Sequence, residues 1–273
     1  MRIVNYVPGI QGVADSSVAT LNLPVNRRYH SLHIQTLANG VAADATLNAS
    51  LVELIVNGIV MRSGKPKTFI DLAKLYGYTP ATGEIPIFFS EFWRNESPGA
   101  MEVTSWDMWG QSSFTMRITL LAPAGGVGIQ SVLADFDGKK NVRTVNGVEV
   151  PFLQIVKQTD LSFVAASGLN DVTTIPTSWP ILRAMMDVSA NAITKVELFG
   201  DGNAKILEAT KGENAIMLNS NLLVAGSYEF PLVLDYDNRV LQGLKTSALN
   251  LRVTTSGALT LTVHLHQLIN GYR

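Results

Sequence analysis

Cysteine is absent from this 273-residue chain. Its absence excludes disulfides, thiolate metal centres and cysteine nucleophiles, and leaves the redox compartment open. Charge is scarce as well. Only 16% of residues are charged, against about 25% in an ordinary soluble domain. So few charges suit a chain whose flanks lie against other subunits, because interface cores are depleted of charge. The formal net charge is −1, and no Lys/Arg run is longer than "GKK" at 138–140. No field is present to hold a nucleic-acid backbone, and direct sequence-specific nucleic-acid binding is not expected. The start, "MRIVNYVPGIQGVADSS", lacks a secretory pattern. The uncharged run 118–134 holds Pro123, Gly125, Gly126 and Gly128, so it reads as a linker and not as a membrane span. There is no phosphate-cradling Gly-Lys-Ser/Thr loop and no serine nucleophile elbow, and "PAGGVGIQ" lacks the context of a dinucleotide fold.

What is present is period-two alternation. In "SSFTMRITLL" (112–121), Phe114, Met116, Ile118 and Leu120 share one face, with Ser113, Thr115, Arg117 and Thr119 opposite. That is a half-buried strand. "ALTLTVHLHQ" (258–267) puts Leu259, Leu261, Val263 and Leu265 inward and His264 and His266 outward, and "ALNLRVTT" (248–255) follows suit. Shorter runs are "ATLNLP", "YHSLHIQT", "EIPIFFSE", "ILRAMMDV" and "YEFPLVLD". Gly, Pro, Asn and Asp separate many of them, as in a sandwich. Helix signals are few. "TFIDLAKLYG" (68–77) has helical spacing at Phe69, Leu72, Ala73 and Tyr76, with Thr68 to start it and Gly77 to close it. The spacing of Ile129, Val132, Leu133 and Phe136 predicts a second short helix over 129–136.

The chain also repeats itself. "SLVELIVNGIVMRSG" (50–64) reads as a strand running into a turn, and "TKVELFGDGNAKILEA" (194–209) echoes it, Val52 and Val196 lying 196 − 52 = 144 residues apart. Pro86 of "GEIPIFFSEFW" and Pro231 of "SYEFPLVLDYD" are 231 − 86 = 145 apart. "SSFTMRITLL" aligns with "GALTLTVHLH" near the same offset, and "LNLPVNRRYHSLHIQ" (21–35) resembles "VTTIPTSWPILRAMM" (172–186). A domain-sized period means that one architecture occurs twice, each copy with its own core. The expected fold is all-β: two tandem eight-stranded jelly rolls with a few short helices in loops. The expected division is an N-terminal arm at 1–14, a first jelly roll at 15–122, a linker with a short helix at 123–144 and a second jelly roll at 145–273.

The order "VELIVNG", "TFIDLAKLYGY", "IPIFFSEFWR", "SWDMWGQSSFTMRITL" resembles the first jelly roll of the double-jelly-roll major capsid proteins of tailless icosahedral double-stranded DNA viruses. The second copy, "VELFGDG", "FPLVLDYD", "LNLRVTTSGALTLTVHLHQL", resembles their second jelly roll. Bacterial viruses of corticovirus or tectivirus type, with an internal membrane, are nearest in pattern. The resemblance spans most of residues 15–268. It implies a homotrimer with six jelly rolls, forming a pseudo-hexagonal capsomer that tiles an icosahedral shell. It further implies neighbouring capsomers, penton and minor membrane-associated proteins as partners, and the arm at 1–14 near the membrane. The expected location is the virion shell, assembled in the host cytoplasm.

Several residues invite chemistry. His264 and His266 lie two apart on a strand and share a face, as a metal pair would, but the ligand set is incomplete. His30 and His33 point opposite ways on a continuous strand. Asp235 and Asp237 share a face and could supply oxygens to a structural calcium, although no complete loop motif exists. No other cofactor is expected. Glu84, Glu91, Glu96, Glu102 and Asp107 stand among aromatics, as in a glycosidase or sugar cleft, but no spacing sets two carboxyls face to face. A two-domain carbohydrate-binding or glycoside-hydrolase sandwich is therefore the alternative, and a metal-dependent bicupin-like enzyme a further one. The leading reading is not an enzyme. Trp93, Arg94, Trp106, Trp109 and Trp179 are the interface candidates, since Trp and Arg are enriched in interface cores.

Overall fold

The computed structural model describes residues 1–93, 103–188, 192–224, 228–234 and 243–271. The chain divides into a first unit, Met1–Lys74, Tyr78–Val156 and Asn270–Arg273, and a second, Leu75–Gly77 and Lys157–Ile269.

In the first unit the strands are β1 (Ile3–Tyr6), β2 (Val18–Leu23), β3 (Arg28–Ala38), β4 (Val41–Ala42), β5 (Ala49–Val56), β6 (Ile59–Gly64), β7 (Glu84–Phe88), β8 (Trp106–Asp107), β9 (Phe114–Leu120), β10 (Val127–Asp137), β11 (Val142–Val145) and β12 (Val148–Pro151). One sheet runs β1-β10-β3-β7, with β4 and β8 as short additions on β3, and another runs β2-β9-β5-β6. The pairing is antiparallel throughout. Alternation drives it: β9 buries Phe114, Met116, Ile118 and Leu120 and leaves the residues between them half-exposed. Asn57 and Gly58, both at positive φ (52° and 81°), make the two-residue turn between β5 and β6.

In the second unit the strands are β13 (Gln154–Ala165), β14 (Gly168–Val172), β15 (Ile181–Val188), β16 (Ile193–Phe199), β17 (Lys205–Thr210), β18 (Phe230–Val233), β19 (Asn250–Thr255) and β20 (Leu259–Asn270). They form sheets ordered β13-β20-β15-β18 and β14-β19-β16-β17. Their core joins Ala184 and Met186 of β15, Val196 and Leu198 of β16, Phe230 and Leu232 of β18, Leu251 and Val253 of β19, and Leu261, Val263 and Leu265 of β20.

If β4, β8 and the hairpin β11–β12 are set aside, each unit has eight principal strands among the described residues. Numbered along the chain, their sheet orders are 1-8-3-6 and 2-7-4-5 in both units. That order is the jelly roll, and it occurs twice. The helices repeat too. α1 (Ala45–Asn48) is a single turn, but α2 (Pro66–Leu75) and α3 (Lys211–Ser220) both lie between the fifth and sixth principal strands. α2 starts two residues earlier than expected because Pro66 suits a first helical turn. It ends as expected, at Gly77 (φ 81°), with the Tyr78 N–H donating to Ala73 O.

Three expectations are corrected. Residues 129–136 are not a helix in a linker but part of β10, hydrogen-bonded between β1 and β3. Helical spacing arises there because the strand is buried on both faces near its end and carries a register step between Ile129 and Ser131. Residues 1–14 are not wholly an arm, since β1 is the first strand of the first jelly roll. The first unit accordingly runs to Val156, not to 122. Finally, β9 corresponds to β19 and not to β20. "FTMRIT" and "LNLRVT" occupy the same seventh strand, Val52 facing Ile118 and Val196 facing Val253.

Candidate functional site

Buried charge gathers where β3 meets β10. Between Tyr29, opposite Phe136, and Ser31, opposite Asp135, β3 carries one extra residue, His30. This bulge lets Arg28 and His30 converge on Asp137. All three are buried. Arg28 Nε donates to Asp137 Oδ1 (3.1 Å) and Nη2 to Oδ2 (2.6 Å), while Nη1 reaches Asn141 Oδ1 (3.0 Å). His30 Nε2 lies 3.0 Å from Asp137 Oδ2, and Nδ1 lies 2.7 Å from Ser90 Oγ. The Lys139 N–H closes the set on Asp137 (2.8 Å). Alongside, Arg2 Nε donates to both oxygens of Asp135 (2.8 Å each).

The electrostatics follow from this packing. Burial lowers the pKa of His30, opposed by its bond to Asp137. The ring is therefore neutral, with Nε2–H donating to Asp137 and Nδ1 accepting from Ser90. Burial by itself would raise Asp137, but bonds from Arg28, the Lys139 N–H and His30 outweigh it and hold the carboxyl at about 2. The carboxylate is fully engaged by donors, so the cluster fastens strands and has no free base.

A second cluster sits on the outer face of β3 and β7. Glu84 accepts from Tyr78 Oη (2.7 Å) and the Ala81 N–H (2.7 Å), and its Oε1 lies 2.7 Å from His33 Nδ1. Burial pushes Glu84 up, and these three donors bring it below its ordinary value. Beside it, Phe88 meets the rings of His33 (5.5 Å) and Tyr78 (5.2 Å) edge-on and lies tilted against Phe92, with centroids 4.4 Å apart.

The sequence candidates fall as follows. His264 and His266 are both buried, not on an open polar face. They take different partners: His264 Nδ1 lies 2.8 Å from Asp160 Oδ1, and Arg183 Nε donates to His266 Nδ1 (2.7 Å). A guanidinium on a ring nitrogen opposes a metal there. Among the described residues no group of three potential ligands gathers. Asp235, Asp237, Arg94, Glu96 and Glu102 lie outside the described residues. Glu84 and Asp107 do not face each other as a catalytic pair. Asp107 accepts the N–H groups of Asn141 (2.6 Å) and Trp109 (2.9 Å). Trp106 is corrected from an interface candidate to a core residue: it is fully buried, 4.6 Å from the Phe89 ring. Trp109 and Trp179 are exposed, and Trp93 is half-buried against Phe92. Sequence reasoning missed the Arg28–His30–Asp137 cluster. Its only signal was charge inside strand-like runs.

Comparisons with known proteins agree with this geometry. Residues 4–132 match the family described as Viral coat protein P2 N-terminal domain. No curated protein matches in sequence. Among solved structures, the chain is similar to the major capsid protein P2 of bacteriophage PM2, at 13% identity and a TM-score of 0.82, over 100% of this chain and 99% of that one. It is also similar to the STIV major capsid protein (11%, TM-score 0.68, 98% and 96% covered) and to the PBCV-1 virus capsid (9%, TM-score 0.65, 100% and 97% covered). The fold is the double jelly roll of viral capsid proteins. The family match is confined to residues 4–132, and the likeness to these solved structures, all at low identity, shows the fold.

Proposed function

We propose that three copies of this chain form one pseudo-hexagonal capsomer, and that these capsomers tile an icosahedral shell around an internal membrane. The observation that supports this reading is the identical strand order of the two units. Two equivalent jelly rolls per chain make 3 × 2 = 6 in a trimer, which matches a hexagonal outline without six chains. In this proposal neighbouring capsomers, penton and minor membrane-associated proteins are the partners, and assembly proceeds in the host cytoplasm. Residues 1–14 contact the membrane, a reading supported by the exposure of Met1, Val4 and Tyr6. A structural calcium ion at Asp235 and Asp237 belongs to the same proposal, with calcium-dependent melting as its check.

Light scattering after gel filtration tests the trimer. One chain is 29.5 kDa, so the expected mass is 3 × 29.5 = 88.5 kDa. A monomer at every concentration overturns the proposal.

A further inference from the structure

The hairpin β11–β12 takes no part in either jelly roll. Val142–Val145 and three of the four residues Val148–Pro151 are exposed, including Val142, Val145 and Val148. A lone two-stranded hairpin is marginal in water. This one has an ordered tip, with Asn146 and Gly147 at φ 52° and 79°, as a two-residue hairpin turn requires. Its root is also fixed. Asn141 donates its N–H to Asp107, receives Arg28 on its side chain and accepts the Phe152 N–H (2.9 Å). A firmly rooted hairpin with exposed valines is built to be covered.

Its two edges differ. The register is Val145↔Val148, Thr144↔Glu149, Arg143↔Val150 and Val142↔Pro151. Pairs that exchange hydrogen bonds alternate with pairs that do not. The bond from Phe152 to Asn141 and the tight turn make 143/150 and 145/148 the bonded pairs. Val142 and Thr144 therefore turn their backbone groups outward from β11, as Glu149 and Pro151 do from β12. Pro151 has no N–H, so the β12 edge is blunted and the β11 edge is open.

We propose that the open edge of β11 docks against a second copy of this chain, extending a sheet across the subunit boundary. The inference rests on the coat-protein assembly reading, in which the neighbours are copies of this chain. Charge agrees with that occupant. Lys139, Lys140, Arg143 and Glu149 give the hairpin region 3 − 1 = +2, and the chain total of −1 leaves −1 − 2 = −3 for the remainder. A basic projection on an otherwise acidic chain complements another copy.

The test is a matched pair of full-length variants. Thr144→Pro removes an outward N–H from the open edge, and Glu149→Pro makes the same change on the edge already blunted. Association is read by light scattering over a dilution series, and folding by circular dichroism and melting. Thr144→Pro is expected to raise the dissociation constant at least tenfold, with Glu149→Pro near wild type. If both variants match wild type, or both weaken association equally, the edge is not the contact and the inference falls. A second readout covers any local disturbance. The chain has no cysteine, so Val142→Cys with a thiol cross-linker is expected to yield covalently linked copies, and its failure in an associating protein also overturns the inference. A wild-type chain that stays monomeric overturns the assembly reading itself, and the inference with it.

Discussion

Replacing Asp137 by Asn tests whether the buried charge cluster holds the first unit together. The substitution keeps the volume but removes the charge facing Arg28, whose side chain is 6% exposed, and His30, whose side chain is fully buried. Breaking a buried pair on one side costs about 3–5 kcal/mol, because the remaining charge keeps its desolvation penalty. Arg28 retains Asn141 as an acceptor, so the expected loss is near 3 kcal/mol by the same principle. The double variant Arg28→Met, Asp137→Leu removes both charges, and most of the loss is expected to return. The pH profile is a separate check. Asp137 has a folded pKa of about 2 against an ordinary 3.8. Its depressed pKa adds stability that is full above about 3.8 and disappears as pH falls through 2. At 1.36 kcal/mol per pH unit the contribution is about 2 kcal/mol, with little screening at so buried a side chain. His30 acts earlier. Burial lowers its pKa beneath 6.5, so the unfolded chain takes up the proton first and stability falls as pH drops below 6.5. Urea unfolding across pH 2–7 reads both steps. An Asp137→Asn loss under about 1 kcal/mol, or a variant that keeps the wild-type loss between pH 4 and pH 2, would refute the reasoning.

Gly83→Ala is expected to cost more than Gly58→Ala, although both glycines have φ 81°. A Cβ at Gly83 would meet Thr36 O at 2.5 Å, whereas Gly58 faces open space. Positive φ alone costs about 1–2 kcal/mol, so equal losses in thermal unfolding would show that the close approach is not real. Leu54→Ala and Leu198→Ala each remove a buried side chain from the fourth principal strand, and each is expected to lose about 2–5 kcal/mol in denaturant titrations. A loss under 1 kcal/mol at either site would contradict the equivalence of the two strands. Thr210 and Glu213 form a capping box at the start of α3. Thr210→Ala should lower stability by about 1 kcal/mol, and Thr210→Ser should restore most of it. Loss without rescue by Ser would mean that the cap is not the cause.

The fold was legible where one face of a strand is covered and the other is not. β9 shows this, and so does the helix of 66–75, whose apolar residues follow a single stripe. It was illegible where both faces are buried. In β10, Val132, Ala134 and Phe136 pack on one side while Asp135 and Asp137 are held by Arg2 and Arg28 on the other, so the alternation of apolar and polar residues no longer marks a solvent face. His264 and His266 were misjudged for the same reason: polar residues on a strand were expected to meet water, and here they meet Asp160 and Arg183. α3 was missed although Thr210 and Glu213 spell its start, because no clear apolar stripe runs along it. Of the candidate site, the pairing of charges across β3 and β10 depends on a one-residue bulge at His30, which no spacing rule in a single sequence announces.

The repeat carries more than strand order. Glu53 faces Arg117 across β5 and β9, and Glu197 faces Arg252 across β16 and β19. The first pair is a direct bridge of 2.9 Å. In the second, Arg252 Nε turns to Asp171 (2.7 Å) and Glu197 takes Lys205 (2.8 Å). The two units share the register but not the individual contact, as expected when a one-residue slip would turn every apolar side chain outward while an exposed ion pair is worth little. The edge prolines point the same way. Pro86 lies opposite His33 and Pro231 opposite Met185. The flanking bonds, Thr36 N to Gly83 O and Leu234 N to Leu182 O, place both prolines at positions whose backbone faces out of the sheet. In the second unit Asn214 of α3 also donates to Pro231 O (2.9 Å). Both jelly rolls thus blunt the edge of their sixth strand at the same position. An unblunted edge strand offers its free backbone groups to any other strand, and the proline at this position removes that offer in each jelly roll.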